Sequence, residues 1–162
     1  MSRIRKVREI FWKLLGGAAW VFFFLMIIAM LMQVFTRYVT KTPIAWTEEF
    51  SRFTYVWAIF LGSILVQRTR SHMVVSIVID KLSPRARLVM ESLSDIFSII
   101  VMALVFAGTL MMMKKTYGIL ASTIPISYSY VYLALSIGSF FILVLLFADV
   151  IKSVKSLFAA KK

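Results

Sequence analysis

The charged residues with the most informative spacing lie between positions 37 and 52. Glu48 and Glu49 are adjacent, Arg52 follows Glu48 by four residues, and Arg37 lies one short loop earlier. On a helix, Glu48 and Arg52 would face each other as an ion pair. Two interpretations stay open. The carboxylates either sit at a helix start, where the helix dipole favours negative charge, or belong to one partly buried network of all four residues that holds a hairpin and docks a partner.

The other polar residues argue against several kinds of chemistry. The chain contains one histidine, His72, and no cysteine, so we expect no disulfide, no cysteine-ligated metal and no haem held by two histidines. No candidate nucleophile, base and orienting group can be identified, and no carboxylate lies near the middle of an apolar run. We therefore expect no enzyme, no cofactor, no metal site and no ion pathway through this chain alone.

Aromatic residues form a regular pattern directly after these charges. Phe50, Phe53, Trp57 and Phe60 recur at spacings of three and four residues, and Ile64 continues the series. On a helix they would form one aromatic stripe. The stripe either packs inside a helical bundle or faces another membrane protein, and the pattern itself favours neither.

The elements that must position these residues are long apolar segments. Hydrophobic residues make up 61% of the 162 residues, and the mean hydropathy is +0.90, whereas soluble domains are roughly 45–50% apolar. The sequence predicts an all-α integral membrane protein, a single domain over residues 1–162. The predicted transmembrane helices are 14–36, about 46–66, about 91–114 and about 128–149. Amphipathic spacing predicts two short interfacial helices, at 1–13 and 73–82.

The distribution of basic residues predicts the orientation. The N-terminal segment, the middle loop and the C-terminal tail hold fourteen of the nineteen Lys and Arg residues, and the other two loops hold five. Because basic loops stay in the cytoplasm, both termini are expected there. The net charge of +12 then reflects topology and contacts with lipid headgroups, and not binding to nucleic acid.

Several short stretches carry a resemblance to a known family. They are Phe35-Thr36-Arg37-Tyr38, Ala45-Trp46-Thr47-Glu48-Glu49, Arg52, Trp57, Leu61-Gly62-Ser63, His72 before Asp80, and Thr123-Ile124-Pro125-Ile126 before the last helix. In this order they resemble the small membrane subunit of tripartite ATP-independent periplasmic (TRAP) transporters. The resemblance extends over essentially the whole chain, although its specific part is the segment from Arg37 to His72.

The resemblance implies a non-catalytic scaffold subunit in the bacterial inner membrane. Such systems use a sodium gradient to import organic acids, sialic acids and C4-dicarboxylates among them, and overall similarity favours sialic acid here. A large membrane subunit, the heterodimer partner, carries the substrate and sodium sites. A periplasmic binding protein delivers the substrate through transient contact.

The resemblance also assigns roles to individual residues. It implies hairpin architecture, lipid-headgroup contact or contact with the large subunit, and not substrate binding, for Arg37, Trp46, Glu48, Glu49, Arg52 and His72. Two rival functions stay open from the residues themselves. A stand-alone four-helix transporter or channel would need a carboxylate near the middle of the membrane. A membrane anchor of a redox complex would ordinarily need more than one histidine.

Overall fold

Four long α-helices make up the described part of the protein. The computed structural model describes residues 2–69 and 84–159, with side chains at 5–69, 90 and 93–151. The helices are α1 (Ser2–Tyr38), α2 (Ala45–Thr69), α3 (Pro84–Lys115) and α4 (Ser129–Ala159). Each contains a segment long and apolar enough to cross a membrane. The predicted all-helical class with four spanning helices is therefore confirmed, and the orientation of the termini stays a prediction.

The first helix is continuous over 37 residues. It covers both the predicted interfacial helix 1–13 and the predicted span 14–36. At 1.5 Å per residue it is about 55 Å long, whereas the hydrocarbon core of a bilayer is about 30 Å thick. Part of α1 must therefore extend beyond the hydrocarbon or tilt strongly. The interfacial location of residues 1–13 stays a prediction, and the second predicted interfacial helix, 73–82, lies outside the described residues.

Proline marks the start of two helices. Pro43 precedes the first residue of α2 by two positions, and Pro84 is the first residue of α3. At Pro84 the proline ring holds φ near the helical value, and the missing N–H costs nothing in a first turn, where N–H groups have no partner inside the helix. The second predicted span, about 46–66, falls within α2, and the third, about 91–114, falls within α3.

The helices pack as two hairpins that meet through α2 and α4. Within the first hairpin α1 packs on α2, and within the second α3 packs on α4. A buried apolar cluster joins three helices, with Ala19 from α1, Leu61 and Ile64 from α2, and Ile142 and Leu146 from α4. The spans of α1 and α3 bury only 6% of their residues inside the chain, against 28% for α2 and 33% for α4. The inner pair therefore forms the core, and the outer pair leaves most of its apolar surface uncovered.

Residues of the predicted aromatic stripe contact α1 and the residue that directly precedes α4. The ring of Trp57 stacks on that of Phe22 in α1, with centroids 5.4 Å apart. The ring of Phe53 is buried and lies 5.8 Å from that of Tyr128, just before α4. Such ring pairs contribute about 0.5–1.5 kcal/mol beyond the area that they bury. These two rings of the stripe therefore serve packing inside the bundle.

A hydrogen bond between hydroxyl groups joins α3 to α4 in the interior. Ser136 Oγ lies 3.0 Å from Thr109 Oγ1, and both residues are buried. The Thr109 hydroxyl donates in turn to the carbonyl of Phe106, 2.9 Å away. Hydrogen bonds of this kind between membrane helices contribute about 0.6–2 kcal/mol each, so this one reinforces the second hairpin.

Gly138 lies where α4 crosses α2, and it has no room for a side chain. A Cβ there would lie 2.6 Å from Phe60 Cδ1 and 2.8 Å from Phe60 Cβ. Gly138→Ala is expected to force the two helices apart and to destabilise the bundle by about 1–3 kcal/mol. The measurement is the midpoint of thermal unfolding in detergent micelles.

Gly108→Ala is the matched control for this prediction. It changes another helical glycine, but no atom lies within 4 Å of a Cβ at that position. We expect an unchanged midpoint, or a slightly higher one because alanine favours the helix. An equal decrease in both variants would contradict the predicted contact with Phe60.

Candidate functional site

Most of the predicted site residues lie at one end of the bundle. Glu49, near the start of α2 and thus just after the α1–α2 connection, 39–44, binds the α3–α4 connection, 116–128, there. We call this end of the bundle the loop end. His72 lies outside the described residues. The other predicted residues at the loop end are Arg37, Trp46, Glu48, Glu49 and Arg52.

The buried Glu49 carboxylate binds the α3–α4 connection through several hydrogen bonds. Its Oε1 accepts from the backbone N–H of Ser122 at 2.9 Å, and its Oε2 from the backbone N–H of Thr123 at 2.7 Å. The Thr123 hydroxyl also donates to Oε2. The Tyr128 hydroxyl lies 3.4 Å from Oε1. We call these four residues the Glu49 clamp, because they hold the start of α2 against a loop more than 70 residues later in the chain.

The loop that supplies these donors is a short hairpin. The N–H of Tyr128 donates to the carbonyl of Ile119 at 3.1 Å, and the N–H of Ala121 donates to the carbonyl of Ile126 at 2.9 Å. Pro125 lies at the tip, where its fixed φ suits a tight turn. The N–H groups of Ser122 and Thr123 take no part in these cross-hairpin bonds and donate to Glu49 of α2 instead.

Electrostatics makes this contact stronger than an ordinary surface hydrogen bond. An ionised carboxylate accepts shorter and stronger hydrogen bonds than a neutral oxygen does. Glu49 also lies near the N-terminus of α2, where the helix dipole favours negative charge. No cation takes part in the contacts that the structure gives for Glu49. The carboxylate is therefore stabilised by peptide dipoles and hydroxyls.

Glu48 and Arg52 form a separate ion pair. Glu48 Oε1 lies 3.1 Å from Arg52 Nη2, and both side chains are more than half exposed. An exposed pair at this helical spacing contributes about 0.3–0.5 kcal/mol. Arg37 is also exposed, and within residues 2–69 and 84–159 it forms no ion pair with either glutamate. Within the described chain the four charges therefore do not form a single network. Their contacts with lipid or a partner stay a prediction.

Trp46 stands beside this pair at the start of α2. Its side chain is 42% exposed, and its ring meets that of Phe50 edge to face with centroids 6.0 Å apart. Amphipathic rings of this kind are favoured at the membrane–water interface. The lipid contact of Trp46 stays a prediction.

Sequence reasoning missed the partners of Glu49. In the sequence, Thr123 belongs to the stretch before the last helix that carries the family resemblance, and no pattern marks Ser122 or Tyr128 as a partner of Glu49. The one available signal was the Pro125 turn, which indicates a formed loop. Nothing in that turn pointed to Glu49.

An apolar groove runs between α1 and α2, with a volume of about 320 Å³. Its small residues are Gly16, Ala19, Ala58 and Gly62, and its aromatic residues are Trp20, Phe23 and Tyr55. Small residues allow another helix or a lipid chain to approach closely. Among the described residues, no three His, Asp or Glu side chains come together as metal ligands. The expectation that sodium binds a partner subunit stays a prediction.

Comparisons with known proteins identify a family. Residues 26–156 match the family model of the DctQ component of tripartite ATP-independent periplasmic transporters. A Haemophilus influenzae protein classed as a TRAP transporter small permease protein is 35% identical over 111 residues, which are 67% of each chain. A second protein of the same class and organism is 31% identical over 85 residues, 52% of this chain and 53% of that relative.

Removing the charge of Glu49 should loosen the loop end. In Glu49→Gln the side chain keeps one acceptor oxygen but turns an NH₂ group towards N–H donors, so at least one hydrogen bond is lost. We expect several-fold faster amide hydrogen exchange in residues 119–128, measured by mass spectrometry on the protein in detergent. Glu48→Gln is the matched control, because it removes an adjacent carboxylate that does not contact this loop. Equal exchange rates in the two variants would refute the clamp.

Proposed function

This chain belongs to the DctQ component family of tripartite ATP-independent periplasmic transporters, and we propose that it serves there as a fixed, non-catalytic scaffold for a larger membrane subunit. It is a multi-pass membrane protein and a TRAP transporter small permease subunit. One observation carries the scaffold proposal. The two hairpins are locked together at the loop end, while the outer helices leave their apolar faces uncovered.

Rigidity supports the scaffold role. The Glu49 clamp joins α2 to the α3–α4 connection, the Trp57–Phe22 stack joins α2 to α1, and the Ser136–Thr109 bond joins α3 to α4. These contacts connect all four helices. A carrier that moves substrate needs a neighbour that does not move with it. A bundle whose helices are joined by hydrogen bonds and ring stacking meets that requirement.

The open apolar faces support the presence of a membrane partner. With only 6% of their spans buried, α1 and α3 can pack against further transmembrane helices by van der Waals contact. We propose that the partner is a large membrane subunit in a heterodimer, and that this subunit carries the sodium and substrate sites. A periplasmic binding protein would deliver an organic acid and contact the loop end only transiently. Sialic acid is the first substrate to test.

The proposed location is the bacterial inner membrane, with both termini in the cytoplasm. The concentration of basic residues in the two ends and the middle loop supports this orientation. The loop end, with the Glu49 clamp, would then face the periplasm. It would be available there to a binding protein and to the outer leaflet.

The orientation can be tested by single-cysteine labelling, because the natural chain has no cysteine. Ser122→Cys lies in the α3–α4 connection and Ser153→Cys in the last turns of α4. In intact spheroplasts a membrane-impermeant maleimide should label position 122 but not position 153. Position 153 should become labelled once the spheroplasts are permeabilised. The reverse pattern would show that the termini face the periplasm.

The scaffold role can be tested by copurification and by uptake. The tagged chain, extracted in mild detergent, should bring down a large multi-span protein in a 1:1 ratio. Purification as a homodimer alone would contradict the proposal. In cells, Glu49→Gln should lower the maximal uptake rate of labelled sialic acid, or of a C4-dicarboxylate if the system takes that instead, because the loosened bundle supports its partner less well.

The concentration that gives half-maximal uptake separates a scaffold from a substrate site. It should stay unchanged in Glu49→Gln, because we place the substrate on the large subunit. Glu48→Gln is the matched control and should behave like the natural chain in both parameters. A changed half-saturating concentration in Glu49→Gln would indicate that this chain touches the substrate.

A further inference from the structure

A second cleft opens at the loop end, where α3 ends and α4 begins. Its volume is about 760 Å³, more than twice that of the groove between α1 and α2. It combines a basic side chain, two phenols, an open glycine and apolar residues, namely Lys114, Tyr117, Tyr130, Gly118, Met113 and Leu133. Neither the family match nor the Glu49 clamp accounts for this combination.

Lys114 supplies a positive charge without an internal counterion. It lies in the last turn of α3 and forms no ion pair within the part of the chain that the structure describes. The connections 39–44 and 116–128 contain no acidic residue. The two carboxylates at the loop end are engaged elsewhere, since Glu48 pairs with Arg52 and Glu49 binds the loop. The charge of Lys114 is therefore available to an external anion.

The last carbonyl groups of α3 do not need this lysine. The hydroxyl of Thr116 donates to the carbonyl of Met112 at 2.8 Å, and the hydroxyl of Ser129 donates to the carbonyl of Met113 at 3.3 Å. Basic side chains often satisfy such carbonyls at a helix C-terminus. Here hydroxyl groups already donate to the carbonyls of Met112 and Met113, so the N–H donors of the Lys114 ammonium are not needed for them.

Two tyrosines that line the same cleft carry phenol hydroxyls as further donors. The side chains of Tyr117 and Tyr130 are 84% and 57% exposed, and neither hydroxyl has a hydrogen-bond partner among the described residues. Gly118 adopts a φ of +82° and has no atom within 4 Å of a Cβ position, so the cleft stays open between them. An ammonium with neighbouring phenols suits an anionic phosphate, which presents several acceptor oxygens.

The apolar residues of the cleft indicate where that phosphate comes from. Met113 and Leu133 line the cleft, and both belong to the segments of α3 and α4 that are long and apolar enough to span a membrane. A soluble phosphate would leave this apolar surface bare, whereas a phospholipid presents its phosphate directly above an acyl chain. Lysine and tyrosine at a helix end also lie at headgroup depth. We propose that this cleft binds the phosphate of an anionic phospholipid, with one acyl chain along α3 and α4.

The proposal can be tested by native mass spectrometry of the full chain in detergent, titrated with phosphatidylglycerol. Phosphatidylcholine is the zwitterionic reference and should bind more weakly. Lys114→Gln should weaken phosphatidylglycerol binding roughly fivefold, the effect of one basic residue near a membrane surface. Lys115→Gln is the matched control. It removes an equal charge from the neighbouring residue, whose side chain does not line the cleft. It should change the affinity little.

Two further arms distinguish the possible sources of the phosphate and the role of the phenols. Glycerol 3-phosphate should bind far more weakly than phosphatidylglycerol, and equal affinity would overturn the lipid in favour of a soluble phosphate. Tyr130→Phe keeps the ring, removes the hydroxyl and should lower the affinity less than Lys114→Gln does. Equal losses in the Lys114 and Lys115 variants, or no preference for phosphatidylglycerol over phosphatidylcholine, would overturn the site. Thermal unfolding midpoints verify that each variant is folded.

Discussion

A carboxylate at the end of a membrane helix must find hydrogen-bond donors, and in this protein Glu49 finds them on a distant loop. Burying a charge is costly unless it is fully hydrogen-bonded, and backbone N–H groups that point away from water need acceptors for the same reason. Glu49 and the N–H groups of Ser122 and Thr123 satisfy each other. Because these bonds join α2 to the α3–α4 connection, the contact constrains how the first helical hairpin sits on the second.

The packing inside the bundle is consistent with this constraint. Once the start of α2 is held against the α3–α4 connection, Phe53 meets Tyr128 one turn further along and Phe60 meets Gly138 two turns beyond that. α2 and α4 then form the inner pair, and α1 and α3 lie outside with most of their apolar surface free. A small permease subunit that supports a larger partner needs this combination: a well-packed inner helix pair, and outer helices whose apolar faces are free to contact the partner.

Among the described residues, the charged side chains at the loop end are exposed except for Glu49, which is buried. Glu49 is directed into the protein, where peptide dipoles stabilise it, and Glu48 is paired with Arg52 on the surface. Arg37 and Lys114 are also exposed, at the ends of α1 and α3. This arrangement leaves basic groups facing outwards although the connections are short.

The sequence by itself determined the four apolar helices and the Glu48–Arg52 pair, because each depends on residues that are close together in the chain. It also determined the membership in the family, which rests on similarity along the chain. Helical spacing brings positions four residues apart to the same face whatever the rest of the protein does. Only the tertiary structure decided the partners of Glu49 and the division of the aromatic stripe between α1 and α4. The physical reason is that a backbone N–H is the same in almost every residue, so a carboxylate that binds one leaves no residue-type signal in the sequence. Which N–H it reaches depends on how the helices pack.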